Sequence, residues 1–240
     1  MTPALPTVPH PAPAHVFWGY LTRLGEAQVL LPALAVVMLW WCTRPGTRQV
    51  AATWLACVAA ATALTTATKL AFIGWGVGSA ALDFTGISGH SMFAAAVLPL
   101  LLASATATGG ERSRWTALGL AYALAGGVAV SRVLVQAHSV SEALAGFATG
   151  ALASALALRL ARPPAQRPPL GLLAGVAACC AVLMAGTPPA PTHALVTRMA
   201  LALSGHRQPF TRAMLLQRRL TQAPRWLPHE VSRDAVLPVP

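Results

Sequence analysis

Charge is what this chain has least of. Only 10% of its 240 residues are Asp, Glu, Lys or Arg, against 55% that are hydrophobic. Soluble domains carry about 25% charged residues, so a water-facing globule is excluded and a bilayer becomes the expected solvent. Acids are scarcest: six Asp and Glu against 17 Lys and Arg give a formal net charge of +11. Lysine is nearly absent, with Lys69 alone among arginines. The arginines lie between apolar runs or in the C-terminal tail, a placement that serves membrane topology and headgroup contact. No basic face interleaved with aromatics is present, which argues against a nucleic-acid partner.

Cysteine is also sparse. Cys42, Cys57, Cys179 and Cys180 all sit inside or at the edge of apolar runs, as small hydrophobes do. None has metal-ligand spacing with a histidine, and Cys179-Cys180 is not a CxxC pair, so neither metal nor other cofactor is implied. A secretory signal is lacking too: residues 1–14 are Pro-rich, and no Lys or Arg precedes Arg23. The stretch reads as a disordered leader. It is followed by His15 to Gly25, rich in interface-favouring aromatics (Phe17, Trp18, Tyr20) and too short to span.

What is present is a series of apolar runs long enough to cross the hydrocarbon. Six are expected, at about 27–43, 50–69, 90–108, 115–131, 138–158 and 169–186. The predicted fold is an all-α polytopic transmembrane bundle of about six spans. Small residues recur inside it, as in Gly146 to Gly150, and permit close helix packing. The layout divides as 1–25, leader and interfacial segment; 26–186, membrane domain; 187–240, a Pro/Arg-rich tail. Within the tail, Ala194 to Leu203 is apolar but too short to cross and suits an interfacial helix. Arg44 and Arg48, Arg112 and Arg114, and Arg159, Arg162 and Arg167 mark three loops on one side. That side is the cytoplasm by the positive-inside rule, in an inner or plasma membrane, with the other loops facing outward.

Ionisable residues inside such a protein are functional candidates by default. Between 50 and 158, apart from the 111–114 cluster, there are six: Lys69, Asp83, His90, Arg132, His138 and Glu142. All lie in or beside two loops, 69–90 and 131–138, that emerge on the same face because two spans separate them. The set suits phosphoryl transfer. Lys69 and Arg132 can hold a phosphate dianion. Ser88-Gly89-His90 falls where a helix begins, and backbone N–H groups there favour an anion. His138 and Glu142, four apart on the fifth span, share a helix face. The carboxylate can fix one imidazole nitrogen as N–H and free the other to attack, while His90 protonates the leaving oxygen. Asp83 fits a turn former, and a second Ser-Gly-His, Ser204-Gly205-His206, has no partner motif and reads as coincidence.

These residues resemble the type 2 phosphatidic acid phosphatase family. Ser88-Gly89-His90 is similar to its Pro-Ser-Gly-His motif. Ser131-Arg132, five residues, His138, three residues and Glu142 is similar to its third motif, and Lys69 to the start of its first. The resemblance implies that His138 becomes phosphohistidine and His90 is the general acid, with Glu142 supporting the nucleophile. It further implies that Lys69, Ser88, Gly89 and Arg132 bind phosphate without a metal, on a lipid phosphate substrate: phosphatidate, phosphatidylglycerophosphate or polyprenyl diphosphate. Three features depart from the pattern: Glu142 replaces Asp, Ile87 replaces Pro, and Gly76-Val77 replaces the Arg-Pro that ends the first motif. The last removes a phosphate-holding guanidinium, so either a neighbour substitutes or phosphate is held less tightly. Two rivals stand beside the hydrolase: a vanadate haloperoxidase using the same cage, and a non-catalytic lipid-binding or transport protein on the same scaffold.

Overall fold

The computed structural model describes residues 13–163, 166–186, 188 and 192–222. Most of the leader expected at 1–14, and the tail beyond 222, lie outside the described residues. Nine helices are formed among those described: α1 (Pro13–Arg23), α2 (Ala27–Cys42), α3 (Arg48–Trp75), α4 (Gly89–Ala105), α5 (Glu111–Leu134), α6 (Val140–Leu160), α7 (Leu170–Gly186), α8 (Thr192–Ser204) and α9 (Arg212–Gln222). The protein is an integral membrane protein of the expected class. Val16–Cys42, α3, α5 and α6 are long and apolar enough to cross a bilayer, and α4 and α7 are shorter apolar helices. The six expected runs correspond to α2 to α7. The aromatic segment before them forms α1, which packs along α5.

Helix α4 is the axis of the bundle. It buries Met92, the run Ala94 to Leu100, and Ala103. Its closest neighbour is α6, and small residues set that closeness. A Cβ on Gly146 would collide with the Ser88 carbonyl oxygen, and one on Gly150 with that of Met92. The two backbones therefore meet through a glycine seam, the close approach that small-xxx-small spacing permits. Pro99 lies inside α4 and cannot bond the carbonyl of Ala95 four residues earlier. Ser154 of α6 supplies the missing donor, its hydroxyl reaching Ala95 O at 2.8 Å, and Tyr122 of α5 lies 3.0 Å from the same hydroxyl. A neighbouring helix thus satisfies the group that proline orphans in an environment without water.

The connections sort the two ends. At one end Trp54 donates to the Ala161 carbonyl at 2.8 Å, tying the start of α3 to the close of α6. The arginine-bearing loops lie at this end. At the other end Ser88 N donates to Glu142 O at 3.1 Å, joining the start of α4 to the first turn of α6. Helix α3 has 28 residues, a rise of about 42 Å against roughly 30 Å of hydrocarbon, so its last turns outreach the apolar layer. Helix α8 covers them, Ala200 packing with Phe72 and Ile73. The tail from 192 to 222 therefore lies at the end opposite the arginine loops, as an even number of crossings requires.

Candidate functional site

Several elements of the site are held by local devices that the sequence encodes. Lys69 is not at the end of its helix as expected. Helix α3 runs on through apolar Leu70 to Trp75 and stops at Gly76, which caps it in the left-handed region at φ 70°. Lys69 thus projects from the penultimate turns, and the connection to α4 is 76–88 rather than 69–90. That connection folds back on itself through a paired Ser79 and Phe84, with Asp83 in a left-handed turn at φ 49°. It is pinned to α3 by Ile87 N donating to Thr68 Oγ1 at 3.1 Å.

The next connection explains the spacing between Arg132 and His138. Arg132 lies in the last turn of α5, and its carbonyl accepts from both Ala137 N and His138 N at 3.1 Å. Gln136 takes a left-handed φ of 56° to make this reversal. Five intervening residues are what the turn needs to bring the imidazole back under the guanidinium's own backbone. His138 then sits one residue before the N-cap of α6, not on the helix as expected. It meets Glu142 through a capping box. Ser139 Oγ accepts from Glu142 N, and Glu142 Oε2 reaches back to Ser139 N at 3.2 Å. With its carboxylate so placed, Glu142 Oε2 lies 2.7 Å from His138 Nδ1.

Glu142 is fully buried and meets only donors. Oε1 accepts from Thr85 N at 2.7 Å and from the Thr85 hydroxyl. Oε2 accepts from Ser139 N, from His138 and from Arg212 Nη2 at 2.6 Å. A carboxylate surrounded by donors is ionised, so Nδ1 of His138 carries the ring proton and Nε2 keeps a free lone pair. Burial pushes the His138 pKa below 6.5, only partly opposed by the hydrogen bond and charge of Glu142, while the cations of Lys69 and Arg132 push it further down. The net direction favours the neutral form of the imidazole.

Lys69, Gly89, His90, Arg132, His138, Thr85 and Arg212 line one cavity of about 890 Å³. Lys69 Nζ stands 3.7 Å from where a Cβ on Gly89 would lie, so the absent side chain opens the start of α4 to the ammonium. Arg132 donates from Nη1 to Thr22 Oγ1 at 2.9 Å, a polar tie between α5 and α1. Its buried Nε–H meets no acceptor among the described residues. Ser88 departs from expectation. Its side chain is wholly buried, accepts from Ser91 Oγ at 3.1 Å and packs against Gly146, away from the cavity. Asp83 forms the turn expected of it and also accepts from Arg212 Nη1 at 2.7 Å. His206 of the second Ser-Gly-His lies outside the cavity and bonds the Gly74 carbonyl through Nδ1 at 2.7 Å. No group of three or more His, Cys, Asp or Glu suited to a metal occurs among the described residues.

The cavity is continuous with an apolar groove. Leu31, Thr62 and Thr66 line both, and the groove goes on between α2 and α3 along Leu34, Leu55, Val58 and Ala59. A cationic pocket therefore opens sideways onto the hydrocarbon-facing surface.

Comparison with known proteins agrees with this arrangement. The PAP2 superfamily pattern matches residues 65–164, a stretch that holds both histidine motifs. A Klebsiella pneumoniae protein described as "Uncharacterized 22.5 kDa protein in cps region" is 35% identical over 202 residues, covering 82% of this chain and 97% of its own length. The chain belongs to the PAP2 superfamily. No solved structure matches it. Membership supports a phosphatase-like function for the chain. Sequence reasoning missed Arg212, and no local signal sets it apart from the other arginines of the tail.

Proposed function

We propose that this PAP2-superfamily protein hydrolyses a phosphomonoester or diphosphate on a membrane lipid, with His138 as nucleophile. One observation carries the reading: an imidazole oriented by a buried carboxylate faces a cation-lined cavity that continues into an apolar groove between membrane-spanning helices. A phosphate head fits the first and a long hydrocarbon chain the second. A water-soluble phosphate ester has no use for the groove.

The chemistry follows from the tautomer. Phosphate oxygens are held by Lys69, Arg132 and the backbone N–H groups opened by Gly89 at the start of α4. Ser88 contributes by fixing the start of that helix against α6. Nε2 of His138 attacks phosphorus, and an N–P bond forms as the bond to the lipid oxygen breaks. His90 gives its proton to that oxygen. The phosphohistidine is an imidazolium, and its Nδ1–H remains on the Glu142 carboxylate, whose charge balances it. Water then attacks phosphorus, His90 takes a proton back, and the N–P bond breaks to release inorganic phosphate and neutral His138. The positive charge comes from side chains, so turnover is independent of added metal. The site faces outward, opposite the arginine-rich loops.

The test is phosphoenzyme trapping with labelled lipid phosphate, in detergent and in the presence of chelator. Wild type should yield an acid-labile, base-stable adduct. His138→Ala should lose adduct and turnover together, whereas His90→Ala should recover with a good leaving group such as an aryl phosphate. Label trapped by His138→Ala would refute the nucleophile.

A further inference from the structure

Gly76 leaves α3 without the guanidinium that the family's first motif carries at that position, and the fold has filled the space with something else. A Cβ on Gly76 would lie 2.9 Å from the ring of Phe210. Phe210 belongs to the segment between α8 and α9, and three contacts seat that segment on the end of α3. Phe210 N donates to Ile73 O at 3.0 Å, His206 Nδ1 bonds Gly74 O, and Ala200 O and Ser204 pack against Gly74. His206 stacks edge-on to Phe210, with ring centroids 5.8 Å apart. Two residues beyond Phe210, the chain delivers Arg212 into the cavity.

The guanidinium is then held from two sides. Nη1 donates to Asp83 Oδ2 at 2.7 Å and Nη2 to Glu142 Oε2 at 2.6 Å, with Thr85 Oγ1 at 3.4 Å. Glu142 Oε2 is the atom that also holds His138 Nδ1, so the guanidinium and the nucleophilic ring share one anchor. An arginine has five N–H donors in a planar fork. Two carboxylates fix its orientation and leave donors for a third anion. With 36% of its side chain exposed, it is open to the cavity.

We propose that Arg212 is a phosphate-clamping residue: the C-terminal segment carries into the site, from about 130 residues away along the chain, the guanidinium that α3 lacks at Gly76. The assignment rests on the phosphatase reading above. The second Ser-Gly-His is part of the same device, since His206 and Phe210 are the fastening that holds the arginine in place. Asp83 is its positioning partner.

The experiment uses the full chain in detergent, with phosphatidate as substrate and inorganic phosphate and orthovanadate as competing anions. Arg212→Ala is expected to raise KM and the inhibition constants of both anions by about tenfold to a hundredfold, the weight of a charge-assisted hydrogen bond. Arg212→Lys, which keeps charge but not the fork, should recover part of the loss. Free guanidinium should lower KM in Arg212→Ala and leave wild type unchanged. Asp83→Asn gives a milder variant should the alanine chain fold poorly, with an expected rise of a few-fold in the same constants. A fall in kcat with phosphate and vanadate affinity intact would overturn the clamp and make Arg212 a support for Glu142 alone. Unaltered kinetics in Arg212→Ala would overturn it as well, while leaving the phosphatase reading standing. A wild-type protein that releases no phosphate from any lipid phosphate would overturn both.

Discussion

Replacing Glu142 by glutamine tests the centre of the argument, because the change removes one charge and almost no volume. Every group facing the carboxylate is a donor: the amide and hydroxyl of Thr85 on Oε1, and Ser139 N, His138 Nδ1 and Arg212 Nη2 on Oε2. A carboxamide must point its NH2 at one of these sets. Toward Thr85 it opposes a backbone N–H that cannot turn away. Toward Oε2 it opposes Arg212 and Ser139 and drives the His138 proton to Nε2, which takes the attacking lone pair with it. Either pose leaves at least one buried donor unsatisfied, at about 1–3 kcal/mol. The imidazolium of the intermediate also loses a charge-assisted bond of about 1.5–3 kcal/mol, tenfold or more in rate. With the tautomer disturbed as well, kcat should fall by about 10²–10⁴-fold. The assay is phosphate release from saturating phosphatidate, paired with phosphoenzyme trapping, and the variant should melt at lower temperature in the same detergent. A kcat within threefold of wild type, in a variant folded by that criterion, would refute the orienting role of Glu142.

Three further outcomes are expected. In the proposed mechanism His138 attacks as the neutral ring, and burial holds its pKa below 6.5, so kcat/KM should stay level as pH falls to 6.5 and decline only in more acid solution; with an aryl phosphate that itself ionises lower, an acid limb centred above 6.5 would contradict this. Gly150→Leu should force α4 and α6 apart at the Met92 carbonyl, costing at least about 2 kcal/mol of stability and separating the two histidine motifs, read as lowered melting temperature together with lost turnover. Thr62→Trp should block the passage from groove to cavity, raising KM for a long-chain lipid phosphate by about tenfold while sparing a short-chain or aryl phosphate; equal loss on both substrates would remove the groove from the mechanism.

The membrane architecture was legible because a bilayer imposes a length on every crossing, and six apolar runs met it. The convergence of Lys69, His90, Arg132 and His138 followed from counting spans between them. Finer placement failed where polarity misled. Lys69 looks like a helix end in the sequence, but a single cation does not stop a helix with six apolar residues still to come; Gly76, able to take a positive φ, does. The pairing of His138 with Glu142 was expected for the wrong reason. Ser139-Val140-Ser141-Glu142 spells a capping box, and that signature, present in the sequence, puts the histidine before the helix. Ser88 faces α6 because Gly146 makes room for it, a relation between helices that no local pattern contains. Arg212 was invisible for the same reason: its partners, Asp83 and Glu142, are 129 and 70 residues away, and six other arginines of the tail look alike in one dimension.

The sideways groove has a consequence for what happens after reaction. On the lipid phosphatase reading proposed above, substrate reaches the cavity from the lipid phase, and hydrolysis makes two products that belong to different phases. The dephosphorylated lipid has lost the charge that tied it to Lys69 and Arg132 and can slide back between α2 and α3. Inorganic phosphate, a dianion, would not follow it into an apolar groove and would leave on the side where Asp83 and Arg212 are part-exposed. The two never share an exit, so neither obstructs the other's departure. Recombination would require both to return at once from opposite directions. A cavity with one apolar and one aqueous door sorts two such products by partition, with no moving part needed.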